Sequence, residues 1–233
     1  MQTLQDRHVV VTGGTGALGA AVVLKFIEAG AVCHIPAIES TPPAGRLPDS
    51  KQVSISANID LADEASVDGF YAKLPPLHAV VNIAGGFAYA PIADSPAKVL
   101  QQQISMNLVS CVLSCRAAVA NFRKGGKGGH IVNIAARPGL NPRQGANMTA
   151  YTASKAAVAA FTVALAEELK NESISAIALA PSTLDTPANR KDMPNAKHDT
   201  WVKPSAIAEL IVAHCSLSET INSGALMPVY GKA

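Results

Sequence analysis

Charge is scarce in this chain. Only 15% of its 233 residues are charged, and the formal net charge is +2. Lysines and arginines adjoin one another at most in pairs, which argues against nucleic acid or an acidic membrane surface as the main partner. Cysteine is equally sparse: Cys33, Cys111, Cys115 and Cys215 follow no disulfide-framework spacing. Cys111 and Cys115 lie one helical turn apart, yet no neighbouring histidine or acid completes a metal set, so reduced, buried thiols and no metal site are expected. The N-terminus has neither the long apolar core nor the small-residue cleavage site of a secretory signal. The longest nearly uncharged stretch, residues 156–166, is too short to span a bilayer and reads as a buried helix. Together these absences predict a cytoplasmic protein with a small-molecule substrate.

What is present is a core. Hydrophobic residues make up 48% of the chain, enough for one globular domain over residues 1–233 without repeat or linker. The apolar runs "RHVVVTGG", "AVCHIPA", "QVSISANID", "HAVVNIAGG", "GHIVNIAA", "SISAIALAP" and "SGALMPV" predict seven strands. Helical patterns separate them: 17–30, 62–74, a long helix over 95–122 opened by Ser95-Pro96, 150–171 and 204–216. The stretches 137–149 and 182–203 read as loop and long polar segment. Strands apolar on both faces alternating with helices specify a single Rossmann-type doubly wound α/β domain. Its seven-stranded sheet is mostly parallel, with helices on both faces.

Ligands on such sheets bind at the carboxyl ends of the strands, and the polar motifs lie there. "TGGTGALG" follows the first strand and opens the first helix, with Gly14, Gly16 and Gly19 in G-x-G-x-x-G spacing. In that setting the glycines give a tight turn, close approach to a pyrophosphate and close helix packing. Strand two ends with Ala37 where NAD-selective sites carry an acid; Glu39 stands just beyond and Arg46 in the following loop. NAD and NADP both remain open on these residues. Tyr151 and Lys155 share a helix face, and a lysine cation one turn away favours the phenolate.

In this order and spacing, "TGGTGALG", "NIAGG", "MNLVS", "YTASK" and "APSTLDTP" resemble the short-chain dehydrogenase/reductase family along essentially the whole chain. The resemblance implies an NAD(P)H-dependent oxidoreductase with a cofactor half over about 1–95 and a catalytic and substrate-binding part over about 96–233. It makes Tyr151 the proton donor, Lys155 the group that lowers its pKa and holds the nicotinamide ribose, and Asn107 the anchor of a proton-relay water. It places the dinucleotide against Gly13, Thr15, Gly16, Ala17, Leu18 and Gly19. Asp60 and Leu61, then Asn82, Ala84 and Gly85, border it further along, and Pro181, Thr183, Leu184 and Thr186 close it. It also implies a homodimer or homotetramer built through helices 95–122 and 150–171.

Three positions depart from the family pattern: Ala17 in the glycine turn, Ser182 after the strand-six proline, and Ala136. The last stands where the family has a serine that hydrogen-bonds the substrate carbonyl. Losing such a donor costs roughly 3 kcal/mol in the transition state of an ordinary ketone reduction. An electron-poor conjugated acceptor needs less help. Dihydropteridine reductases, a branch of the family that reduces quinonoid dihydropterin, also lack that serine and resemble this chain in "GALG", in "AGG" before Phe87, and in "TLDTPANRKDMPNA" before Trp201. A generic carbonyl or alcohol dehydrogenase and an idle dinucleotide-binding protein are the competing readings. Ala136, Arg137, Phe87 and Trp201 are the candidate substrate contacts, with Arg143 and Arg190 nearby and Thr149 or Asn147 as stand-ins for the absent hydroxyl.

Overall fold

A computed structural model describes residues 3–41, 43, 45–218 and 221–232. Its sheet is built from β1 (His8–Thr12), β2 (Val32–Pro36), β3 (Val53–Ser56), β4 (Ala79–Asn82), β5 (Gly129–Ile134), β6 (Ile174–Pro181) and β7 (Leu226–Val229). The strand order is β3-β2-β1-β4-β5-β6-β7, and every pairing is parallel. β1 therefore has β2 on one side and β4 on the other, and the order reverses between them. That reversal opens a crevice at the strands' carboxyl ends. Only the outer strands β3 and β7 carry exposed residues.

Helices cover both faces: α1 (Ala17–Glu28) and α8 (Pro204–Cys215) on one, α2 (Glu64–Tyr71), α4 (Ser110–Gly125) and α6 (Thr149–Glu168) on the other. Alternation along each strand sorts the core accordingly. Val9 and Val11 join Phe26, Ile207 and Ile211, whereas Val10 joins Phe70, Phe122 and Val158. On β6, Ile177 and Leu179 face the first layer, and Ala176, Ala178 and Ala180 face the second. Those alanines meet Ala159 and Ala166 of α6, so small residues on both sides let that helix lie close to the sheet.

Three expectations about the elements need correction. The helix expected over 95–122 starts at α3 (Ala97–Ile104), because Pro96 is extended and caps it, rather than Ser95. A π-helical turn, Ser105–Val109, then joins α3 to α4, which ends at the left-handed Gly126. This run, Ala97–Gly125, is long and apolar enough to cross a membrane; half of its most apolar window is buried inside the protein. The loop expected at 137–149 contains α5 (Arg137–Leu140) and a 3-10 turn (Pro142–Gly145), each begun by a proline in its first positions. The polar segment 182–203 contains α7 (Pro187–Asp192) and a 3-10 turn (His198–Thr200).

Candidate active site

The crevice beyond β1 and β4 has a volume of about 970 Å³ and is walled by the glycine turn, Ile59–Ala62, Ile83–Gly85, Leu184 and Thr186. Thr12, at the end of β1, shapes its floor: its hydroxyl accepts from the Ile83 and Ala84 amides at 3.0 and 3.1 Å, tying the two strand ends together. Gly13 is left-handed (φ 65°) and a Cβ there would lie 2.9 Å from the Ala84 nitrogen; a Cβ on Gly19 would run into the Gly13 carbonyl. The turn therefore has room for backbone only, which is what close approach to a pyrophosphate requires. Asp60 accepts from the Ala62 amide at 2.8 Å and with Leu61 lines the crevice. Thr186 caps α7 through the Asn189 amide and lines the opposite wall.

Ala37, at the end of β2, is buried, while Glu39 lines the crevice. Arg46 reaches back from its loop and donates to the Thr15 carbonyl at 3.0 Å. Asn82 does not border this space through its side chain. It is turned into the core, where its Nδ2 donates to Asn133 Oδ1 at 2.8 Å and to Cys115 Sγ at 3.2 Å.

Asn107 sits inside the π turn, a device that recurs at functional sites because the widened turn re-aims one residue. Its side chain accepts from the Gly86 amide (2.9 Å) and donates to the Gly86 carbonyl (3.0 Å), Ser154 Oγ (3.0 Å) and Gln103 Oε1 (3.2 Å). Ser154 Oγ in turn donates to the Tyr151 carbonyl at 2.7 Å. One buried network thus joins the β4 loop to the helix that carries the Tyr–Lys pair. Neither Gln103 nor Ser154 follows from sequence reasoning. The only signal was a polar residue four positions before Asn107, on its face of the helix.

Lys155 is buried and donates to the Ile134 carbonyl at 2.8 Å. Burial lowers its pKa to about 8. Tyr151 rises to about 12, again through burial. The expected acidification of the phenol by Lys155 is therefore corrected: desolvation governs both groups, and the ammonium is committed to β5. A phenol held protonated at neutral pH suits the proton-donating direction.

Phe87 stands edge-on to the Tyr151 ring, 5.0 Å between centroids, and is 59% exposed, so it forms an open wall beside the phenol. Ala136 is buried and extended immediately before α5. The Arg137 guanidinium lies over the Tyr230 ring at 4.8 Å, and its Nε is buried with no hydrogen-bond partner. Thr149, Asn147 and Arg143 are exposed. Arg190 is paired with Asp185 (2.5 and 3.0 Å), and Trp201 lies tilted against His198, 4.5 Å between ring centroids. Both residues are thus engaged within the segment 182–203 rather than at the phenol. Pro181 and Thr183 frame the end of β6, where the Thr183 carbonyl receives the Val202 amide.

A glycine-walled crevice, with Tyr151 and the buried Lys155 one turn apart on α6 near Gly85 of its wall, matches what comparison finds. A model of the family described as short chain dehydrogenase matches residues 7–197. The chain belongs to that family. It is 31% identical over 193 residues to 3beta-hydroxysteroid dehydrogenase 2 of Eggerthella lenta, with 78% of this chain and 73% of that one covered. It is 29% identical to the probable oxidoreductase EphD of Mycobacterium tuberculosis, a match spanning 78% of this chain but only 31% of EphD. The crystal structure of gox2181 superposes with a TM-score of 0.90 at 25% identity, covering 98% of this chain and 95% of that one.

Proposed function

We propose that this short-chain dehydrogenase reduces an electron-poor, conjugated acceptor of the dihydropterin type, with Tyr151 as the sole side-chain proton donor. The observation that carries the reading is Ala136, a buried methyl where the family places a hydroxyl. Bound NAD(P)H would supply the hydride, held by the glycine turn, Asp60 and Thr186. Lys155 keeps a cation beneath the site from its anchor on Ile134, and the Tyr151 phenol delivers a proton to the acceptor atom that gains electron density. Phe87 offers an apolar face to a flat ring.

The name of the Eggerthella lenta relative favours a second reading, reduction of an isolated ketone or oxidation of an alcohol. The deciding experiment follows NADH and NADPH oxidation with quinonoid dihydropterin beside simple ketones. Turnover confined to ketones supports the second reading; cofactor binding without turnover on any acceptor supports an idle protein. We also propose a homodimer or homotetramer. The outer face of α6 carries exposed Ala153, Ala160, Val163 and Ala164, a smooth apolar strip suited to a second copy. A monomer by light scattering would refute it.

A further inference from the structure

Five of the six histidines collect at the amino ends of the strands, the opposite end of the sheet from the crevice. His8 and His34 stack with ring centroids 5.2 Å apart and share a contact of 3.0 Å between Nδ1 and Nε2. His130 lies between His78 and His214, at 5.1 and 5.3 Å. Among the described residues no group of three ligating side chains could hold a metal ion. Their chemistry is therefore that of hydrogen bonds and protons.

The rings divide by what their nitrogens do. His214 takes Asn222 Nδ2 at 3.1 Å and Ser175 Oγ at 3.2 Å, and the same Oγ meets His130 Nδ1 at 2.9 Å. That chain ties the end of α8 to β5 and β6. His78 is different. Its Nε2 donates to the Cys215 carbonyl at 2.7 Å, which leaves Nδ1 for an incoming proton. His78 also lines a cavity of about 740 Å³ together with Arg7, His8, Lys127 and His130. Two permanent cations and three imidazoles thus face this space against one carboxylate of the described lining, that of Asp6.

We propose that this cavity is a binding site for a small oxyanion of the sulfate or phosphate type, held by Arg7 and Lys127, with His78 taking up a proton as the anion enters. Burial and the Arg7 charge both disfavour the charged form of His78, opposed only by the Cys215 hydrogen bond. An anion seated between Arg7 and His78 reverses the second effect, because each cation then faces opposite charge. His130 and His214 keep their mutual contacts, so they serve as a neutral back wall. The glycine turn, a second place where an anion would sit, lies at the far end of the strands, so binding at the two is separable by position.

The test is a histidine-ring NMR titration of the full chain with 13Cε1-labelled histidine, in sulfate and in chloride of equal ionic strength. Sulfate at about 20 mM stays dianionic between about pH 5.5 and 8, so any change in a midpoint belongs to the protein. Sulfate should raise the His78 midpoint by about half a unit or more while leaving His198, on the crevice side, unmoved. Lys127→Ala, on an exposed turn, and Arg7→Ala should each remove most of that rise. A His78 midpoint indifferent to sulfate overturns the proposal. So does a rise that survives both substitutions, since it would then be general screening.

Discussion

Acid should unfold this protein earlier than its few carboxylates suggest, and the cause is the histidine chain beneath the sheet. Burial, with help from its neighbouring rings His78 and His214, pushes His130 down to about 3; burial alone takes His214 down to about 4. In the unfolded chain both return to about 6.5. Between those values the unfolded state binds more protons than the folded one, so stability rises with pH and is lost on acidification from about 6.5 downward. At pH 5, about 1.5 units below the unfolded value, each ring kept neutral by the fold forfeits about 2 kcal/mol, or about 4 kcal/mol for the pair. Against a total of about 5–15 kcal/mol for a typical domain, that is a large fraction. Urea unfolding in chloride at about pH 7.5 and 5, followed by circular dichroism, measures it. His214→Gln keeps an amide near Ser175 and Asn222 but removes one titrating ring, so its loss should be about 2 kcal/mol smaller than that of the natural sequence, the depressed His34 and His78 contributing alike to both. Equal stability at the two pH values would refute the reasoning, as would a His214→Gln variant with an undiminished loss.

Three further outcomes follow from the active site. Tyr151→Phe keeps the ring beside Phe87 but removes the proton; turnover should fall by about 10²-fold or more, with NAD(P)H affinity, measured by fluorescence, changed less than about twofold. Unchanged turnover would take the phenol out of the reaction. Ala136→Ser restores a second donor and should raise kcat/KM on a simple ketone by roughly tenfold or more, with little gain on a dihydropterin; equal effects on both would contradict the role given to the missing hydroxyl. Arg46→Ala removes the guanidinium beside Thr15 and should weaken NADPH roughly tenfold more than NADH, the scale of one charge-assisted hydrogen bond. A constant ratio of the two affinities would show that Arg46 does not meet the ribose phosphate.

Much of the architecture could be read directly. Strands such as "VVVT" and "AIALAP" are apolar at consecutive positions because both faces are covered, and the glycine turn announces the crevice between the first strand and helix. Residues 137–149 hid α5 because four residues of helix leave no periodicity to detect. The π turn at Asn107 is invisible for a related reason: its surplus residue shifts the phase of an otherwise regular helical pattern. For Tyr151 and Lys155 the spacing left desolvation out of account. Spacing shows that two groups share a face, but desolvation depends on how much protein closes over each, and that is set by distant chain. The histidines were missed altogether, since His8, His78, His130 and His214 meet only once the parallel strands fix their register.

The widened turn at Ser105–Val109 has a consequence for how this chain tolerates insertion and deletion. Removing one residue there would restore ordinary winding and leave α3 and α4 in place, because the widened turn is what absorbs the surplus residue. What changes is the turn itself: Asn107 would lose the winding that aims its side chain, and with it the bonds that join Gly86 to Ser154 on the helix carrying the phenol. A change that improves the regularity of the backbone would thus dismantle the chemistry: the irregular winding is what points one amide at two other elements at once.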